Sequence, residues 1–189
     1  LRNIAPLMIM CDDADIGMAV EGVIRGRFYN CGQVCTAVKR LYLFDSIADE
    51  FIRHLKSRVE EIVVGNGLDR GVSMGPLNNR AGFMRVVTQV DTAREQDEGT
   101  IITGGRTPEG EAYKRGFFFL PTLVTDVPYD SILFSEEVFG PVLPIATVSG
   151  LDEAIDLANN SRYGLGASVW TRSADVIARA TESLEAGIV

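Results

Sequence analysis

The chain has 189 residues, 18 lysines and arginines against 26 aspartates and glutamates, and a formal net charge of −8. That length suits one domain with a substantial core, and 46% hydrophobic with 23% charged residues is an ordinary globular composition rather than a disordered one. The acidity argues against a nucleic-acid surface, which needs clustered Lys and Arg. No apolar run reaches the length of a membrane span, and no basic-then-apolar leader opens the chain. Three cysteines, Cys11, Cys31 and Cys35, are an odd number for a disulfide scaffold. The expectation is a cytoplasmic protein with no nucleic-acid or membrane partner. The first residue is not Met, which reads as a processed or truncated piece.

In chain order, Ile4–Met10 reads as a strand, and Asp12, Asp13 and Asp15 as capping acids for a helix through Ala19, Val23 and Phe28. Lys39–Phe44 reads as a second strand. Asp45 or Ser46 then caps an amphipathic helix with apolar positions Ile47, Phe51, Leu55, Val59 and Ile62, ended by Gly65-Asn66-Gly67. A third helix spans Arg80–Glu98 and closes at Gly99. Thr100–Thr103 is a short strand and Gly104–Lys114 a polar, Gly-rich loop. Phe117–Val124, interrupted by Pro121, Val142–Val148 and Ala167–Trp170 read as strands, and Leu151–Asn159 and Ala174–Leu184 as helices. Alternating strands and helices predict an α/β fold: one domain, with an open, largely parallel sheet and helices on both faces.

Cys35 is the residue with the most chemical interest. An unassisted thiol is only a few per cent thiolate at neutral pH. Backbone amides in a tight turn can favour the thiolate, and Gly32 tolerates such a turn. Taken alone, Cys35 reads first as a buried small hydrophobe, as most free cysteines are. Its surroundings carry more: Phe28-x-Asn30-x-Gly32-Gln33-x-Cys35 resembles the cysteine signature of the NAD(P)-dependent aldehyde dehydrogenase superfamily. Glu136-Glu137-Val138-Phe139-Gly140-Pro141 resembles that family's Glu-Glu-x-Phe-Gly-Pro segment. Gly75-Pro76-Leu77, Gly116-Phe117-x-x-x-Pro121-Thr122 and Ala158-Asn159-x-x-x-Tyr163-Gly164-Leu165 follow the family order across nearly the whole chain.

The resemblance implies a catalytic domain over residues 1–189, with the dinucleotide-binding domain and oligomerisation arm largely absent. It implies Cys35 as nucleophile toward a small aldehyde, through a thiohemiacetal and a thioester, with NAD or NADP as cofactor in the full-length enzyme, itself a homo-oligomer. On the same resemblance, the Cys35 amide would be the oxyanion donor within this chain. Glu137 would accept the nicotinamide-ribose hydroxyls, and Phe139 would lie beside the nicotinamide. Without the motif, Glu136 and Glu137 read as solvated loop acids and Phe139 as core. Asn30 and Gln33 read as residues orienting the loop through backbone bonds, and Gly140-Pro141 as a rigid turn rather than a contact.

Lys39, four residues beyond Cys35, is placed to raise the local positive potential and favour the thiolate, but reads first as a solvated lysine. Cys31 is either a small side chain in the pocket or a reversible disulfide partner of Cys35. His54 reads as structural, and no zinc spacing links the cysteines with it. Leu1–Pro6 aligns with the family's hinge, where Arg2 and Asn3 replace two glycines, and the family's water-activating glutamate would precede Leu1. The isolated chain is therefore expected to be weakly active or inactive. A CoA-acylating relative, a thiol hydrolase and a non-catalytic folding or subunit-interaction module are the other readings.

Overall fold

In the computed structural model, residues 5–189 are described. The first strand, β1 (Leu7–Met10), is buried along its whole length, as a strand covered on both faces must be. Asp15 caps α1 (Ile16–Phe28), its carboxylate accepting the Met18 amide at 3.0 Å. β2 (Arg40–Phe44) runs directly into α2 (Asp45–Glu60), whose N-cap is Phe44, so neither Asp45 nor Ser46 caps that helix. Asp45 lies in the first turn, where its charge complements the helix dipole. α2 stops at Glu60, well before Gly65, because Val63 and Val64 pair instead with Ser73 and Met74.

α3 (Arg80–Glu95) begins at Asn79, whose side chain accepts the Gly82 amide at 2.8 Å. It closes earlier than the periodicity predicts. Asp97 adopts a left-handed φ of 56°, and the Glu98 amide returns to the Ala93 carbonyl at 2.7 Å, so an aspartate rather than Gly99 makes the stop. β3 (Thr100–Thr103), β4 (Thr122–Thr125), α4 (Ile132–Ser135), β5 (Val142–Val148), α5 (Leu151–Asn159), β6 (Ala167–Trp170) and α6 (Ala174–Ser183) complete the order. The strand predicted over Phe117–Val124 is only its final part. Phe117 and Leu120 bond to the Leu77 and Arg106 loops, and Pro121 has no amide to give a ladder. The loop over Gly104–Lys114 holds a 3-10 turn at Glu111–Tyr113. α4 has no counterpart in the sequence reading, since a single turn leaves no periodicity to detect.

The six strands form one sheet in the order β3-β4-β5-β2-β1-β6. Every pairing is parallel except β3 with β4, which makes β3 an antiparallel edge. The chain steps one way from β1 to β2 and the opposite way from β5 across to β6. Because parallel crossovers are right-handed, α1 and α5 fall on opposite faces. The α/β class with a largely parallel sheet therefore holds. The hinge alignment at Leu1–Pro6 and the strand start at Ile4 rest on Leu1–Ile4, which lie outside the described residues.

β2 and β5 are parallel neighbours, with Leu41 opposite Ile145. The segments entering them, 29–39 and 136–141, are consequently side by side at the amino ends of the strands. The two strongest motifs occupy these segments.

Candidate functional site

After α1 the chain turns sharply: Asn30, Cys31 and Gly32 are all left-handed, at φ 50°, 57° and 71°. A non-glycine residue there costs about 1–2 kcal/mol, and local bonds offset it. The Asn30 side-chain amide donates to the Gln33 carbonyl at 3.2 Å, while the Gln33 backbone and side-chain N–H groups both reach the Asn30 carbonyl at 3.1 Å. Gln33 Oε1 also accepts the Asn78 amide at 2.8 Å, tying the turn to the Gly75-Pro76-Leu77 segment. Asn30 and Gln33 thus bond backbone groups, as their residue types predict. Gly32 is required twice over: its φ is left-handed, and a Cβ there would stand 2.7 Å from the Gly140 carbonyl carbon.

Cys35 sits in the next turn, closed by the Ala37 amide on the Val34 carbonyl at 3.1 Å, and its side chain is exposed. Its amide donates to no protein acceptor among the described residues. Cys31 is buried in the core, where burial pushes its thiol up to about 12, so it is neither a pocket residue nor a disulfide partner of Cys35 in this structure.

Two buried cations lie beneath this loop. Arg27, from the last turn of α1, is wholly buried and donates to the carbonyls of Val38 and Val138, each at 3.0 Å, and to that of Gly140. It joins the segments entering β2 and β5. Burial pushes its guanidinium down to about 9, leaving it charged at neutral pH. Lys39 is 2% exposed, which overturns the solvated reading. Its ammonium donates to the Gly32 carbonyl at 3.0 Å, pairs with Glu137 at 3.4 Å and stands 4.5 Å from the centre of the Phe139 ring. Burial, reinforced by Arg27, lowers it to about 7, with Glu137 and Cys35 acting the other way.

Glu137 is therefore not a free loop acid; its carboxylate is 26% exposed and faces Lys39. Its backbone is held on both sides, the amide donating to the Tyr163 hydroxyl at 3.1 Å and the carbonyl accepting from Gln89 at 3.3 Å. Glu136, by contrast, is exposed and pairs with Arg162 at 2.5 Å. Phe139 is 38% exposed, not core. Gly140 is a contact as well as a turn, because a Cβ there would overlap Val86 of α3. A cleft of about 710 Å³ opens beside these groups, lined by Asn30, Gln33, Leu77, Asn78, Arg85 and Phe139 among others.

Arg27, Gln89 and Tyr163 were not singled out from sequence as site residues, and Lys39 was weighed only as a charge able to favour the Cys35 thiolate. Tyr163 stood inside a matched motif, and Lys39 begins a run that alternates into a buried strand; Arg27 and Gln89 gave no signal. His54 is exposed on α2, beside Arg53 and Glu50. Among the described residues, no three His, Cys, Asp or Glu side chains are placed to hold a metal ion, and no helix is long and apolar enough to cross a membrane. The arrangement offers an exposed thiol with an unused amide, a carboxylate acceptor paired with Lys39, and the Phe139 ring on the wall of the cleft.

The sequence profile described as "Aldehyde dehydrogenase family" matches residues 6–189. The chain is 40% identical over 185 residues to aminoaldehyde dehydrogenase 2, peroxisomal, of Pisum sativum, covering 98% of this chain and 36% of that protein. Betaine aldehyde dehydrogenase from Staphylococcus aureus, solved in complex with NAD+, matches with a TM-score of 0.93 at 35% identity over 100% of this chain and 37% of the other. An Escherichia coli NADP-dependent enzyme matches with a TM-score of 0.91, also at 35% identity, over 100% and 38%. The chain thus spans little more than a third of these relatives' length.

Proposed function

This chain belongs to the aldehyde dehydrogenase family, and from that premise we propose that it forms the catalytic domain of an enzyme oxidising a small aldehyde to its carboxylic acid. The observation that carries the proposal is Cys35, an exposed thiol on a turn whose own amide is unused, set beside the Lys39–Glu137–Phe139 cluster. The Cys35 thiolate attacks the carbonyl carbon; the C–S bond forms as the carbonyl electron pair moves to oxygen, and the Cys35 amide donates to that oxyanion. Losing one such donor typically costs about 10²–10³ in rate. Hydride loss from the same carbon leaves a thioester on Cys35. Water then breaks the C–S bond and releases the acid with the thiol restored, so one hard step becomes several easier ones.

NAD or NADP supplies the hydride acceptor when bound. The residues fit its nicotinamide-ribose end. Glu137 Oε1 is a buried oxygen that faces the Lys39 ammonium at 3.4 Å without a well-formed hydrogen bond, on a carboxylate that can accept hydroxyls, and Phe139 gives the cleft an aromatic rim. The solved relatives include one with NAD+ and one described as NADP-dependent, so both cofactors stay within the proposal. Asn30, Gly32 and Gln33 keep the Cys35 turn in shape. A homo-oligomeric full-length enzyme and a cytoplasmic setting, which suits three unpaired thiols, belong to the same reading.

An activated ester such as p-nitrophenyl acetate tests the nucleophile without cofactor. The expected result is a burst of p-nitrophenolate and one acetyl group on Cys35, both lost in Cys35→Ser; acetylation elsewhere, or none, overturns the assignment. With an aldehyde and NAD(P)+, these 189 residues alone, which span about a third of their relatives' length, are expected to form little or no NAD(P)H. Robust NAD(P)H formation would contradict that part.

A further inference from the structure

Arg40 stands two residues before Tyr42 on β2, so the two side chains share one face of the sheet. Arg40 is 4% exposed, yet its guanidinium is poorly satisfied. Among the described residues its one backbone acceptor is the Ala5 carbonyl, at a long 3.4 Å, and Nε is buried with no acceptor. The Tyr42 phenol is no anion, because burial pushes its ionisation up. A cavity of about 320 Å³ opens against Arg40, walled by Tyr42, Tyr129, Phe134, Leu157 and Arg162 among others. The aromatic walls are pre-formed: the Phe134 ring lies 5.9 Å from that of Tyr42 and 6.0 Å from that of Tyr129, whose hydroxyl donates to the Thr147 carbonyl at 3.3 Å. Glu136 is the one acidic side chain lining the cavity among the described residues, and Arg162 takes it at 2.5 Å. That pair cancels, and the charge of Arg40 is left without an anion. A buried cation in that state is costly.

We propose that this cavity binds a small monocarboxylate with an apolar tail, its carboxylate on the Arg40 guanidinium. The head group follows from the charges. Arg40 leaves a single positive charge to match, and a guanidinium takes a carboxylate through paired N–H···O bonds. A doubly charged phosphate exceeds that count, and a neutral ligand of the same shape leaves the cation unmatched. The tail follows from the walls, where Tyr42, Phe134 and Leu157 offer apolar surface for a chain of a few carbons. The assignment is independent of the role given to Cys35, since the cavity shares no lining residue with the cleft beside Phe139 among the described residues.

The test is an NMR titration of the whole chain, read by proton–nitrogen correlation, with butyrate, butyramide and inorganic phosphate. Ionic strength is held constant, at a mildly alkaline pH where phosphate is doubly charged. Butyrate is expected to give saturable shifts at the Arg40 Nε–H and at the amides of Ser135 and Ser161, which line the cavity. Butyramide has the same shape without the charge and is expected to bind about tenfold more weakly or worse, as loss of a charge-assisted hydrogen bond implies. Arg40→Met keeps most of the side-chain volume and removes the donors, and is expected to weaken butyrate binding by about tenfold or more on the same grounds. Should Arg40→Met fail to fold, butyrate against butyramide on the unaltered chain decides. Equal binding of those two ligands would show a cavity that recognises shape without charge, and overturns the proposal. So do butyrate shifts that never saturate or that fall only on residues away from the cavity. Phosphate binding at the same residues as tightly as butyrate overturns the carboxylate assignment.

Discussion

Gly32 and Gly140 meet backbone to backbone, so closely that a Cβ on Gly32 would overlap the Gly140 carbonyl oxygen, although 108 positions separate the two residues. Gly32 belongs to the cysteine turn and Gly140 to the Glu137–Phe139 segment. The two halves of the candidate site are therefore in direct van der Waals contact, and Arg27 donates to the same Gly140 carbonyl.

Gly32→Ala is expected to destabilise the chain by about 1–3 kcal/mol from the left-handed backbone alone, with the overlap adding to that. Urea unfolding followed by circular dichroism measures it. Gly67→Ala, where a Cβ meets nothing within 4 Å, serves as the comparison and should be close to neutral. Equal effects at both positions would show that the contact carries no weight.

Arg27→Met keeps most of the buried volume and removes the donors to Val38, Val138 and Gly140. The Val38 and Val138 carbonyls, left dry, cost about 1–3 kcal/mol each, whereas that of Gly140 keeps the Val142 amide at 2.9 Å, so a loss of a few kcal/mol is expected. Hydrogen exchange should quicken in the segments entering β2 and β5 before it does in β1. A uniform change across the sheet would argue against Arg27 as the tie between those segments.

Stability should rise as the pH goes from about 7 to 9. The folded Lys39 sheds its proton near 7, whereas the unfolded lysine keeps it to about 10.5; the unfolded state binds more protons in between, so raising the pH favours folding. Above about 9 the sign reverses for two thiols. Burial holds Cys11 up to about 11 and Cys31 up to about 12, so the unfolded thiols ionise first and oppose folding, while Lys39 and Arg27, the latter held down to about 9, still favour it, and the rise levels off. Urea midpoints measured across this range check the rise and its levelling, and Lys39→Met should flatten the rise. A midpoint that falls steadily from pH 7 would contradict the Lys39 assignment.

A small maleimide at neutral pH should label one cysteine in the folded chain, Cys35, and all three in urea, since Cys11 and Cys31 are buried. Peptide mapping by mass spectrometry reads this directly. Rapid native labelling of Cys31 would show that the left-handed turn opens readily.

Much of the site was legible because its parts are contiguous. The Asn30-x-Gly32-Gln33 turn needs residues that tolerate left-handed backbone and that bond it locally, and those types are visible in the string. Asp15 was legible as a cap for the same reason. The helix ends were less so. Asp97, rather than Gly99, stops α3, and pairing of Val63 and Val64 with Ser73 and Met74 stops α2 before its glycines. In both cases backbone hydrogen bonding outweighed the residue that most favours a turn.

Residue patterns alone determined the α/β alternation, the cysteine turn and the acidic segment as separate pieces. Only the tertiary structure decided that they lie side by side. Parallel pairing of β2 with β5 runs through backbone groups common to nearly every residue, so the string does not say which strands are neighbours. Lys39 shows the consequence: a lysine four residues past a cysteine reads as solvated until the segment entering β5 folds over it. Burial then turns an ordinary surface cation into the group that joins Gly32, Glu137 and Phe139.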